Sequence, residues 1–324
     1  HAAMMSPGTV TWLGLLSACA ARHLRAPQAT LEHGGVDFVA CDEPKRCDAA
    51  LPSLWMGDLL RAADQPLLAA GRGPAMLHVG GAGFSGCVGG WIDANLYNGV
   101  NASGPVRFYL VEASPDKVEE STANLKKLNM NGSANVINAL LMENCTGTHF
   151  YGVDKRRVKK DFGLEYFMSW ESTSRSWVRS IVSHSANFTK RYPEYRNLPH
   201  DYDSRWQSWV DSPNFDSYIV ELPTPCLTPS ELLKKINVKP DELAMAVIDI
   251  EGADVGVMNN FLDIPGFHPP YLQLEAKPEN NDTIDLMKKL HDHGYSVGQH
   301  DPHVDREKNL IGVWSARADS ITRQ

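Results

Sequence analysis

"AVIDIEGADVGVMNNF", residues 246–261, decides how the chain is read. An apolar run ends in two carboxylates, Asp249 and Glu251, and then Gly252. The run reads as a buried strand, and "DVGVMNNFL" behind it as a helix. Positions i and i+2 of a strand face the same side. The two acids are therefore expected to point together beyond the carboxyl end of a strand, where open α/β sheets bind their ligands.

The same alternation extends in both directions. "PAMLHVGG" (74–81), "VRFYLVEASP" (106–115) and "ANVINALLM" (134–142) read as strands, as do "PYLQLEA" (270–276), "YSVGQH" (295–300) and "NLIGVWSA" (309–316). Between them, "PDKVEESTANLKKLNM" (115–130) is a strong helix, with Pro115 suited to its first turn, acids early and lysines late. "TIDLMKKLHDHG" (283–294) is another helix, and "SGCVGGWIDANLYNG" (85–99) has room for one despite Gly89 and Gly90. Strands alternating with helices predict an α/β, mostly parallel, twisted sheet with helices on both faces.

Two regions stand outside that pattern. Residues 1–72 mix Pro, Gly, Ala and charge, with amphipathic helix expected only in "LPSLWMGDLLRAADQPLLAA" (51–70), and read as an N-terminal extension of a domain spanning 73–324. Residues 152–216, roughly, interrupt the domain and hold Trp170, Trp177, Trp206 and Trp209, four of the chain's eight tryptophans, together with the run "KRRVKK" (155–160). A structureless loop of that length is uncommon inside a compact domain. The aromatic and basic insertion is expected to be a small subdomain, a lid or a docking surface. Its tryptophans serve either as its own core or as an interface, and "KRRVKK" reads as a solvated loop ahead of an anion-docking site.

Composition narrows the classes. A chain of 324 residues, 43% hydrophobic and 22% charged, is an ordinary globular protein. Its net charge of −8 argues against a global nucleic-acid footprint. The apolar stretch "TVTWLGLLSACAA" (9–21) falls short of the roughly 20 residues of a membrane span. It reads as an organellar or secretory targeting remnant, or as a helix docked on a partner, which favours those compartments over the cytosol. Cys41 and Cys47 enclose a loop that a disulfide can close, against the plainer reading of two thiols. N-x-S/T patterns at Asn101, Asn131, Asn144, Asn187 and Asn281 permit glycosylation in a secreted chain. His291, His293, His300 and His303 with Asp301 and Asp305 offer metal-ligand chemistry, but a helix end and a polar turn account for them better.

"GGAGFSG" (80–86) carries Gly81-x-Gly83-x-x-Gly86 directly after a strand. Such glycines allow a tight turn and close approach of the backbone to a ligand. Glu112 ends the next strand, where an acid accepts hydrogen bonds from ribose hydroxyls. Its separation from Gly86 exceeds the roughly 20 residues of a nicotinamide-binding unit, so a nucleoside is supported and an NAD-dependent oxidoreductase is not.

Four blocks in this order resemble the FkbM family of class I S-adenosylmethionine-dependent methyltransferases: "LHVGGAG", "FYLVEASPDKVEESTANLKKLNMNGSANVINALL", "AVIDIEGADVGVMNNF" and "LQLEAKPENNDTIDLMKKLHDHGY". The resemblance covers roughly 74–151 and 218–315. It implies a Rossmann-like class I methyltransferase fold, a donor site at Gly80, Gly81 and Gly83, and Glu112 on the ribose of S-adenosylmethionine. Asp249 and Glu251 would lie near the methionine end or the acceptor, as proton-handling groups, as donor ligands or as structural remnants. It further implies O-methyl transfer to a small-molecule or sugar hydroxyl. The chain departs from the family pattern at His78, where an acid is usual, at Ala82 for Asn, at Phe84 for Gly and at Val247 for Lys. Those departures support an alternative: a catalytically silent, methyltransferase-like accessory subunit of a larger protein assembly, an organellar membrane assembly among the options. Its protein partners would be met through 1–72 and 152–216.

Overall fold

The computed structural model describes residues 74–80, 107–127, 134–164, 170–185, 198–250, 252–277, 280–299 and 309–314, with short strands at 32–33, 36–37 and 39–40. The chain divides into two compact units, one formed by 75–89 and 106–239, the other by 1–74, 90–105 and 240–324.

The first unit opens with three neighbouring parallel strands, β1 (Ala75–Val79), β2 (Arg107–Glu112) and β3 (Ala134–Asn138). Every residue of β1 is buried, and so is all of β2 except Arg107, as expected of parallel strands covered on both faces. Helix α1 (Pro115–Lys127) crosses from β2 to β3 and buries Ser121 and Leu125, one turn apart on a single face. The third predicted strand is broken: Ala139 interrupts it, and β4 (Leu140–Leu141) leaves the main ladder. Ala139 donates its N–H to Glu112 O at 3.1 Å, whereas Leu140 donates to Pro225 O at 2.9 Å, so the chain changes partner between adjacent residues.

The insertion follows. Strand β5 (Tyr151–Val153) leads into α2 (Lys155–Phe162), α3 (Arg175–His184) and α4 (Tyr202–Val210), and β6 (Ile219–Glu221) returns antiparallel to β5. Trp170, Trp206 and Trp209 are buried with Val158, Leu164, Val178, Val182, Tyr202, Phe215 and Tyr218 in one core, while Trp177 is 43% exposed. Trp206 meets Trp170 edge-on at 5.3 Å and Trp209 at 5.1 Å between ring centroids. Edge-to-face pairs of this kind add about 0.5–1.5 kcal/mol each beyond their burial. Trp206 also donates its indole N–H to Val182 O at 3.2 Å, so its polar edge is satisfied inside the core. Three tryptophans thus serve as core rather than interface.

"KRRVKK" is helix, not loop. Asp154 caps α2 by accepting the Arg157 N–H at 3.0 Å, and Val158 on its inner face is fully buried. Arg157 lies over the Tyr218 ring at 4.1 Å, a cation–π contact that ties the run to the insertion's core.

Strand β7 (Cys226–Leu227) returns to pair with β4 in parallel, setting Cys226 opposite Leu140. A disulfide joins Cys145 to Cys226, with Cα atoms 5.6 Å apart. Helix α5 (Pro229–Lys235) starts on a capping box between Thr228 and Glu231. The Cys41–Cys47 pairing lies outside the described residues.

The second unit contains β8 (Leu243–Ile248), α6 (Asp254–Leu262), β9 (Tyr271–Glu275), α7 (Asn281–Asp292), β10 (Tyr295–Gln299) and β11 (Asn309–Trp314). β8 and β9 are parallel, and β11 lies antiparallel between β9 and β10. Val39–Ala40, from the N-terminal region, pairs in parallel with Gly298–Gln299. Phe261 and Phe267 stack at 4.9 Å and, with Met258, Leu274, Leu286 and Leu290, are fully buried. Among the described residues no helix is long and apolar enough to cross a membrane.

Candidate nucleoside-binding site

Gly80 and Glu112 come together at the carboxyl ends of β1 and β2. Gly80 has φ of +82°, a left-handed conformation that glycine adopts without a Cβ penalty. Its N–H donates to Val111 O at 2.9 Å, so the turn leaving β1 is pinned to the end of β2. On the other side, Asn138 donates its amide N–H to Glu112 O at 3.1 Å and to Ala113 O at 3.2 Å. Glu112 is thereby held between the exits of both neighbouring strands.

The Glu112 side chain is buried, 8% exposed, and its Oε1 accepts the Ser114 backbone N–H at 3.0 Å. A carboxylate carries about four lone-pair sites over two oxygens, the kind of acceptor that the vicinal hydroxyls of a ribose require. Burial makes such bonds stronger than they would be in water. Gly81 and Gly83, the other predicted donor ligands in this turn, lie outside the described residues.

His78, two residues before Gly80, is 6% exposed, and its Nδ1 makes no hydrogen bond within the described structure. Burial pushes its pKa down to about 4. The position where the family pattern carries an acid thus holds a neutral imidazole at pH 7.

Asp249 does not sit within the strand. β8 ends at Ile248, so Asp249 stands in the loop beyond it and is exposed; Glu251 lies outside the described residues. Strand alternation therefore does not extend to Asp249. Among the described acids of this motif the buried one is Asp254, 2% exposed, at the start of α6. Its carboxylate accepts the Ile250 N–H at 3.0 Å and the Gly252 N–H at 2.9 Å, wrapping the loop around one side chain. Gly252 has φ of +108°, which explains the glycine beside the acids. Sequence reading quoted Asp254 within the motif but gave it no role; an acid at the head of a helix was the signal. Glu112 and Asp249 belong to different units.

No group of three or more His, Cys, Asp or Glu among the described residues is placed to hold a metal ion. His291 falls in the last turn of α7 and His293 is its C-cap residue, as the helix-end reading expects.

No known family profile matches the chain, and neither does any curated protein. Solved structures do resemble it. The methyltransferase FkbM from Methylobacillus flagellatus KT is 13% identical with a TM-score of 0.37, over 74% of this chain and 44% of its own. This chain therefore spans less than half of that protein. The METTL16 methyltransferase domain is 9% identical with a TM-score of 0.34, over 94% of this chain and 81% of its own. Aeropyrum pernix fibrillarin, solved with S-adenosyl-L-methionine bound, is 13% identical with a TM-score of 0.29, over 79% of this chain and 76% of its own.

The fold is Rossmann-like, an α/β arrangement of parallel strands with helical crossovers. That assignment rests on the strands themselves: a parallel β1–β2–β3 run with a helical crossover in one unit, and a parallel pair extended by an antiparallel hairpin in the other.

Proposed function

We propose that the chain is an S-adenosylmethionine-dependent methyltransferase acting on a hydroxyl of a small molecule or sugar. One observation carries the reading: a buried carboxylate, Glu112, braced at the exit of β2 beside the left-handed turn at Gly80. Those residues fit the nucleoside half of S-adenosylmethionine, with Glu112 on the ribose hydroxyls and the backbone from Gly80 through Gly81 and Gly83 along the donor. Bound there, S-adenosylmethionine supplies an electrophilic methyl group for in-line transfer to an acceptor oxygen. The protein's task is then alignment and removal of the hydroxyl proton. For the donor's amino group or that proton, the family resemblance of the sequence offers Asp249 and Glu251.

A second reading is favoured by His78. A neutral imidazole in place of an acid, with Ala82, Phe84 and Val247 also departing from the family pattern, suits a methyltransferase-like subunit that no longer catalyses. For either reading the Cys145–Cys226 bridge supports an oxidising compartment, secretory or organellar, over the cytosol. The test is release of S-adenosylhomocysteine from S-adenosylmethionine in the presence of a panel of sugars and small alcohols. Acceptor-dependent release that Asp249→Asn or Glu251→Gln reduces supports the enzyme. Donor binding without release from any acceptor supports the silent subunit.

A further inference from the structure

The short loop that follows Glu112 is held by the insertion and the segment that returns from it. Ser114, 1% exposed, gives its backbone N–H to Glu112 and its hydroxyl to Glu171 Oε1, the latter at 3.0 Å across 57 residues of sequence. The Glu171 side chain is 9% exposed and also receives Lys155 Nζ at 3.3 Å. Lys155 reaches in addition to Asp116 Oδ2, at 3.1 Å, in the first turn of α1. Thr224, just beyond β6, donates its hydroxyl to Ala113 O at 2.7 Å. Residues 113, 114 and 116 thus each have a partner on the insertion or its return strand.

The Lys155–Glu171 pair is largely shielded from solvent, whereas the Asp116 side chain is exposed. Burial acts to lower the Lys155 pKa, but the charges of Glu171 and Asp116 outweigh it and hold the ammonium above its ordinary range. Lys155 is the first residue of α2, whose Val158 plugs the tryptophan core, and Glu171 follows Trp170 of that core. A displacement of the Glu112 loop therefore has to move groups anchored in the insertion.

We infer that Glu171 and Lys155 are positioning residues, through which the insertion sets Glu112 for nucleoside binding and is itself stabilised when a nucleoside binds. This rests on the proposed donor site at Glu112. On it the insertion's role is to fix that loop, rather than to act as a lid over an acceptor. The coupling is reciprocal by linkage: what Glu171 contributes to ligand affinity, the ligand returns as protection of the insertion.

The experiment uses the full chain and S-adenosylhomocysteine as probe. Its affinity is measured by calorimetry for the wild type and for Ser114→Ala, Glu171→Gln, Lys155→Met, Lys155→Arg and Glu112→Ala, with tryptophan-detected melting to show that each variant is folded. Amide exchange of α4 is followed with and without probe. Glu171→Gln and Lys155→Met should weaken binding about tenfold, the equivalent of one net hydrogen bond. Lys155→Arg should restore it, and probe-dependent slowing of exchange in α4 should vanish in Glu171→Gln. Wild-type affinity and undiminished slowing in folded Glu171→Gln, with binding lost in Glu112→Ala, overturns the positioning role and leaves the donor site standing. Unchanged binding in Glu112→Ala overturns both.

Discussion

The sulfur atoms of Cys145 and Cys226 are joined across 81 residues of sequence, and the bond closes the base of the insertion just outside the β5–β6 pair. Cross-linking a loop of that length removes about 4 kcal/mol of chain entropy from the unfolded state. Cys226→Ser should lower stability by about that amount, read from urea unfolding followed by tryptophan fluorescence. Peptide mapping without reductant should recover Cys145 and Cys226 in one linked species; two separate thiol peptides from oxidised protein contradict the pairing.

The insertion's tryptophans separate into two kinds with different expected costs. Trp206 is fully buried and contacts two other indoles, so Trp206→Ala should cost about 3–5 kcal/mol. Trp177, 43% exposed, should change stability by no more than about 0.5 kcal/mol when replaced by alanine. Chemical denaturation of both variants measures the difference, and equal costs would mean that the core is drawn around the wrong residues.

Asp254 holds the loop that follows β8 by accepting two backbone N–H groups. Asp254→Ala orphans both donors in a part-buried loop and should cost about 1–3 kcal/mol or more. Asp249→Ala, at an exposed position, should leave the unfolding midpoint nearly unchanged. The pair tests whether the motif's acids divide into one that builds the loop and one that works from it.

Much of this was legible along the chain, and the failures have identifiable causes. β1, β2, α1, α6 and α7 announce themselves because buried parallel strands are continuously apolar and these helices carry one-sided patterns; Pro115 and Asp116 mark the start of α1. The disulfide was not legible, since its cysteines are 81 residues apart whereas Cys41 and Cys47 are close in sequence. Cys145 and Cys226 meet only because β4 leaves the main ladder after Ala139 and takes β7 as partner. The helix at Lys155 was missed because six residues with a single apolar side chain look like a charged loop. Asp154 as cap and Val158 as the inward position were the available signals. The places of Gly80 and Glu112 at strand exits were readable from the apolar runs that lead to them. Asp249 directly follows the strand, which stops with its apolar run at Ile248, so the period of two could not be carried on to it.

His78 makes stability depend on pH in a defined window. Its folded pKa is about 4 against an unfolded value of 6.5, so the folded chain refuses a proton that the unfolded chain accepts between those values. Stability is intact above pH 6.5 and falls as the pH drops towards 4, by about 3 kcal/mol from this group. Urea midpoints for wild type and His78→Leu at pH 7 and pH 4.5 measure it. The variant should lose much less on acidification, and equal losses would place the acid sensitivity elsewhere.

The central claim is that Glu112 holds the ribose of the methyl donor, and calorimetric titration with S-adenosylmethionine and S-adenosylhomocysteine, on wild type and on Glu112→Ala, tests it most directly. The account predicts micromolar binding of both by the wild type and loss of about 2–3 kcal/mol of binding free energy in the variant, the range for hydrogen bonds to a charged group. Heat of binding that is unchanged in Glu112→Ala, or absent in the wild type at millimolar ligand with no rise in its melting temperature, would contradict it.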